Sequence, residues 1–145
     1  MNQKVLFDTC VIVDVLQNRQ PFAEKAEILF KAAASGLIDG YIAAKSVTDI
    51  YYLTHRITHN DTETRRILTT LLEFFAVADT AASDCLAALS SEMGDFEDAV
   101  LCETAKRCGF NCIVTRNIKD YKKTDVKVLL PEELVEKLLQ KPDTD

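Results

Sequence analysis

The sequence predicts an α/β protein: a three-layer sandwich whose central, mainly parallel sheet of about four to five strands carries helices on both faces. Three observations predict it. Short apolar runs alternate along the chain with longer stretches of helical periodicity. Gly36, Asn60-Asp61, Gly94-Asp95, Gly109 and Pro131 fall at the boundaries between these segments. The chain has 145 residues, 48% apolar and 28% charged, which suits one core and a single domain over 1–145.

The elements follow in order. Val5-Leu6-Phe7 reads as a buried strand, and Thr9 to Leu16 as a helix with Val11, Ile12, Val15 and Leu16 on one face. Pro21 opens the helix Phe22 to Ala34, and Gly36 closes it. Gly40 to Ala43 is the second strand, and Ser46 to about Ile57 a helix. Asn60-Asp61 caps a helix from Thr62 to Phe74, and Phe75 to Ala78 is the third strand. Thr80 to Ser90 is helical, Met93-Gly94-Asp95 a turn, and Phe96 to Cys108 a helix closed by Gly109. Cys112 to Thr115 is the fourth strand and Val126 to Leu129 a candidate fifth. Pro131 opens a terminal helix followed by a short tail.

Composition narrows the function. A net charge of −6 argues against coating nucleic acid by charge alone, but leaves room for local contact. The five cysteines, Cys10, Cys85, Cys102, Cys108 and Cys112, are odd in number and lack CxxC spacing, which argues against a disulfide framework or a structural zinc site. They read as small buried apolar residues in a reducing cytoplasm. No secretory signal and no uncharged stretch of roughly 18 apolar residues is visible, so a soluble, cytoplasmic protein without a membrane partner is expected. His55 and His59 have i, i+4 spacing but no third ligand and no HExxH context, which argues against zinc.

In a parallel sheet of this kind the functional site lies at the carboxyl ends of the strands. Carboxylates stand at each expected junction. Asp8 is the one charge between Val5 and Val13; it is either a helix N-cap or a site residue. Ser46 and Asp49 have the spacing of a capping box. Asp95 fits a cap, while Asp98 heads the stripe Leu101, Cys102, Ala105 that should face the core. Asn117 and Asp120 again have cap spacing. If all four junctions share one sheet edge, Asp8, Asp49, Asp98 and Asp120 converge. Such carboxylates raise one another's pKa, and a hard divalent ion, Mg²⁺ or Mn²⁺, relieves the crowding.

The segments FDTCVIVDVL, SVTDIYYL and GDFEDAVLCETAKRCGFNCIVTRNIKDYK resemble the PIN-domain family of ribonucleases, and within it the VapC-like toxins of prokaryotic toxin–antitoxin modules. The resemblance runs from Val5 to about Leu129. It implies that Asp8, Asp49, Asp98 and Asp120 form an acidic catalytic site, with Asp8 and Asp98 as direct metal ligands. Asp49 and Asp120 would hold a second metal or orient its waters. Family members often carry Asp where this chain has Asn117, so the amide stands as a further candidate ligand. The implied reaction is Mg²⁺- or Mn²⁺-assisted hydrolysis of RNA phosphodiesters. The implied partners are RNA, an antitoxin protein and a second copy of the chain. Arg116, Lys45 and Lys119 lie beside the junctions and could hold phosphates; a solvated charge run is the bland alternative.

Two other readings stand beside this one. An Asp-based phosphotransfer domain also places Asp at strand ends, but a haloacid-dehalogenase-like enzyme would want an acid where Cys10 stands. A catalytically weak or inactive RNA- or protein-binding module of the same fold is the other, with Asn117 as its support.

Overall fold

Val5, Leu6 and Phe7 are wholly buried, so the first strand must lie inside a sheet covered on both faces. The computed structural model, which describes residues 2–140, has that arrangement. Strands β1 (Lys4–Phe7), β2 (Asp39–Ala43), β3 (Ala76–Ala78), β4 (Cys112–Val114) and β5 (Val128–Leu129) form one sheet in the order β3-β2-β1-β4-β5. Every neighbouring pair is parallel, with Leu6 beside Tyr41 on one side and beside Ile113 on the other. The helices are α1 (Thr9–Leu16), α2 (Phe22–Ala34), α3 (Ala44–Thr58), α4 (Asp61–Phe74), α5 (Ala82–Ala88), α6 (Phe96–Cys108) and α7 (Pro131–Leu139). A 3₁₀ turn spans Ile118–Tyr121.

Strand alternation divides the core in two. Val5, Phe7, Ile42, Cys112 and Val114 join the cluster built with Val11 and Ile12 of α1, Leu29 of α2 and Leu134 of α7. Leu6, Ala43 and Ile113 join the opposite cluster with Leu101, Cys102 and Ala105 of α6 and with Tyr121. The first core contains a ring cluster in which Phe75 meets Phe7 at 4.9 Å and Phe30 at 5.0 Å between centroids. Phe75 also explains Gly40: a Cβ there would stand 2.8 Å from the ring, so only glycine lets strand and ring pack.

Most boundaries fall within a residue or two of the sequence expectation, and α1, α2 and α6 match it. Three features differ. The helix expected from Ser46 begins at Ala44, so Ser46 and Asp49 are not a capping box; Ser46 is buried inside the first turn. The Lys45 backbone N–H instead donates to Thr80 Oγ1 at 3.1 Å. A side chain distant in sequence thus serves an open donor of the helix. The helix expected over Thr80 to Ser90 is cut to Ala82–Ala88 because Thr80 is used in this way and Asp84 bonds back to the Ala81 N–H. All five cysteines are free, but only Cys102 and Cys112 are buried; Cys85 is exposed, because it lies on the outer side of α5. The tail at 141–145 lies outside the described residues.

Candidate active site

At the end of β1 the chain turns at Asp8 (φ −67°, ψ 150°), an extended conformation suited to an N-cap. Its Oδ1 accepts the Thr9 N–H at 2.7 Å. Capping uses one oxygen and leaves the other. Oδ2 accepts from Thr115 Oγ1 at 2.8 Å and from Tyr121 Oη at 2.9 Å. Thr115 follows β4 and is wholly buried; Tyr121 closes the 3₁₀ turn and is nearly so.

The same phenol reaches a second carboxylate, Asp98 Oδ1, at 3.1 Å. Asp98 is the third residue of α6, and its backbone N–H donates to the N-cap Asp95 Oδ1 at 3.0 Å. Asp95 therefore does the capping, and the Asp98 side chain is left to the site. The expected origin of Asp98 needs one correction. It does not follow a strand, because α5 intervenes between β3 and α6. It reaches the carboxyl edge because α6 leads into β4, and a helix crossing back to begin a parallel strand starts at that edge.

Tyr121 Oη has one proton and lies between two carboxylates, so it serves one as a donor at a time. Burial pushes Asp98 up to about 7; the charge of Asp8 adds to this, then those of Asp95 and Asp120, while the Tyr121 hydrogen bond opposes it. Protonated, Asp98 can donate to Tyr121 Oη while Tyr121 donates to Asp8. Burial, then the two carboxylate charges, drive the Tyr121 phenol upward, so it stays neutral.

Asp8, Thr9, Glu97 and Asp98 line one side of a cavity of about 320 Å³. Helix α3 lines the other with Lys45, Asp49, Tyr52, Leu53 and Arg56. Asp8, Asp49, Asp98 and Lys45 thus come together as the sequence suggests. Asp120 and Lys119 stand in an adjoining recess with Asp95, close enough for Asp120 to act on Asp98 through its charge. Arg116 is engaged elsewhere. Its guanidinium forms a two-point ion pair with buried Asp14, at 2.7 and 3.1 Å, and lies 4.3 Å from the Phe22 ring centroid. Asn117 is exposed and its side chain makes no cap bond; its backbone N–H donates to Thr115 Oγ1 at 3.1 Å.

Among the described residues, no three His, Cys, Asp or Glu side chains form a ready-made metal cage. The donors present are two carboxylates sharing one hydroxyl, with Asp49 across the cavity. That set fits Mg²⁺ or Mn²⁺, since Mg²⁺ is commonly held by one or two carboxylates and keeps several waters. The upward shift of Asp98 reflects in part the anionic crowding that a cation relieves.

Sequence reasoning missed Thr115, Tyr121, Tyr52 and Arg56. For Tyr121 the signal was an isolated aromatic in the charged run Lys119 to Lys123. For Tyr52 and Arg56 it was their helical spacing from Lys45 and Asp49.

A family model described as PIN domain matches residues 4–119. No curated protein matches the sequence significantly. Among solved structures, a toxin–antitoxin complex from Klebsiella pneumoniae is similar, with a TM-score of 0.62 and 22% identity over 88% of this chain and 97% of that one. VapBC2 from Rickettsia felis, solved bound to a DNA fragment from its promoter, gives 0.59 and 14% over 87% and 97%. Mycobacterium tuberculosis VapC20, a toxin that cleaves the sarcin–ricin loop, gives 0.63 and 10% over 85% and 98%. These likenesses establish the shared fold.

Proposed function

This chain belongs to the PIN domain family, and from that premise we propose that it is a metal-dependent endoribonuclease, the toxin of a prokaryotic toxin–antitoxin module, acting in the cytoplasm. The observation that carries the reading is the Asp8–Asp98 pair, joined by one buried phenol at the carboxyl edge of the sheet. Asp8 and Asp98 would hold Mg²⁺ or Mn²⁺, with Asp49 and Asp120 orienting water from farther out. When bound, the ion supplies an activated water and positive charge at a phosphoryl oxygen.

The chain's own residues do the rest. Thr115 and Tyr121 occupy Oδ2 and fix the rotamer of Asp8, so the one lone pair left free, on Oδ1, keeps one direction. Lys45 on the cavity wall and Lys119 in the adjoining recess offset the acidic pocket and hold backbone phosphates. Water attacking in line with the 3′ leaving oxygen gives a 5′ phosphate. The toxin–antitoxin complexes among the structural neighbours support an antitoxin partner, and a homodimer accompanies that reading.

A non-catalytic binding module of the same fold is the second reading. It is favoured by Asn117, a neutral amide where the family often has an acid, and by the phenol that engages both carboxylates. Incubating the purified chain with labelled single-stranded RNA in Mg²⁺, in Mn²⁺ and in EDTA separates the two. The ribonuclease reading expects cleavage to 5′-phosphate products with either metal, none in EDTA, and recovery when metal is returned. RNA binding with no cleavage under any condition supports the binding module, and undiminished cleavage in EDTA removes the metal from the account.

A further inference from the structure

Helix α3 turns a second kind of surface to the cavity. Lys45, Asp49, Tyr52 and Arg56 recur at i, i+4, i+7 and i+11, one stripe of the helix. Ser46, Ile50 and Thr54 on the other side are buried, so core packing fixes the rotation of α3 and turns the stripe outward. Tyr52 is 64% exposed. Leaving a large aromatic in water forgoes the stabilisation its burial would bring.

The Tyr52 ring is nevertheless supported. Tyr51 meets it edge-on at 5.1 Å between centroids; Tyr51 itself stacks on His55 at 5.7 Å and donates a hydrogen bond to Asp61. Lys45 and Arg56, toward the two ends of the stripe, form no ion pair among the described residues. In a chain of net charge −6, two uncommitted cations flanking an exposed ring beside an acidic cavity are not an average surface.

We propose that this stripe is a track for single-stranded RNA, with an unpaired base stacked on Tyr52 and backbone phosphates at Arg56 and Lys45, leading the strand to the Asp8–Asp98 pair. The proposal rests on the ribonuclease reading and adds to it the residues of this chain, Tyr52 and Arg56, that position the strand. Eleven residues of helix separate Lys45 from Arg56, about 16 Å along the axis, the span of a short run of nucleotides. Base–aromatic stacking is tolerant of sequence and needs a base that is free of a duplex. Asp49, between the cations, keeps phosphates toward the two ends of the stripe, where the charge is complementary.

Fluorescence anisotropy of a labelled, unstructured 12-nucleotide RNA in EDTA tests this without cleavage, with the matching RNA duplex as comparison and circular dichroism to check that each variant is folded. The expected result is tighter binding of the single strand than of the duplex. Tyr52→Ala should weaken single-strand binding about tenfold, and Tyr52→Phe should stay within about twofold of wild type. Arg56→Ala should weaken binding and reduce the slope of log affinity on log salt by about 0.7. Tyr52→Ala binding as tightly as wild type, a wild-type preference for duplex, or no RNA binding at all overturns the track. If the wild type binds RNA through Tyr52 yet cleaves nothing with Mg²⁺ or Mn²⁺, the track stands and the ribonuclease reading falls. If the wild type cleaves while Tyr52→Ala binds unchanged, the reverse holds.

Discussion

Tyr121 lies between two carboxylates with one proton to give, and that shortage governs the chemistry of Asp8 and Asp98. Asp98 stands at about 7 against an ordinary 3.8. Below the ordinary 3.8 the group is mostly protonated in both folded and unfolded chains and costs little. Between pH 4 and 7 the unfolded chain gives up the proton while the folded protein keeps it, so stability falls as pH rises; above pH 7 the cost is complete. Discounted for the solvent that reaches this half-buried carboxylate, it is on the order of 2–4 kcal/mol. Asp98→Asn has no charge to lose, so it should raise the melting temperature of metal-free protein at pH 8 by roughly 5–10 °C and change it little near pH 4. Thermal melts in EDTA at the two pH values check this; an equal shift at both would mean that Asp98 is not the titrating group. Much at this scale was legible. Asp8 presented two readings, cap and site residue; the cap is seen at Oδ1, and the second oxygen is turned to Thr115 and Tyr121, which leaves the site reading as the one proposed above. The Tyr121 bridge was not legible, because it joins residues 113 and 23 positions apart, and no local pattern encodes such a contact.

Helix α6 carries Asp98, and an ion pair between exposed Arg107 and the buried carboxylate of Asp84 holds it to α5. Asp84 is 2% exposed and receives two hydrogen bonds from Arg107, at 2.8 and 2.9 Å, and one from Thr104 Oγ1 at 2.7 Å. Burial alone would raise the Asp84 carboxyl; Arg107, the Ala81 N–H and Thr104 outweigh it and hold it at about 2. The stability this brings is complete above about pH 4 and is lost as the pH falls toward 2. Arg107→Met strands a buried carboxylate, so it should lower the melting temperature at pH 7 by roughly 10 °C, with the gap to wild type closing as the pH approaches 2. Melting curves across that range check it, and a gap independent of pH would assign the loss to packing alone. Neither this pair nor Arg116–Asp14 was anticipated, because each joins charges that look like ordinary surface residues in the sequence. Helix periods were the most readable feature; the start of α3 was misjudged because Thr80, from beyond β3, supplies the partner for its N-terminal backbone.

Five parallel strands place the ends of β1, β2 and β4 on one edge, and the crossover into β4 starts α6 there too. That topology brings Asp8, Asp49 and Asp98 to one cavity although they come from three elements. It was legible because alternating short apolar runs and amphipathic helices permit few other arrangements. The order of acids around the edge was less so: Asp120 faces a neighbouring recess, and Arg116 turns to Asp14. We propose the Asp8–Asp98 pair as the catalytic centre of an intact fold. Its most direct test is the rate of single-stranded RNA cleavage in Mn²⁺ by Asp8→Asn beside wild type, with circular dichroism on the same samples. The amide keeps one oxygen to accept the Thr9 N–H cap and loses the negative charge, so native dichroism is expected with cleavage reduced at least about a hundredfold. A folded Asp8→Asn that cleaves at the wild-type rate would contradict it.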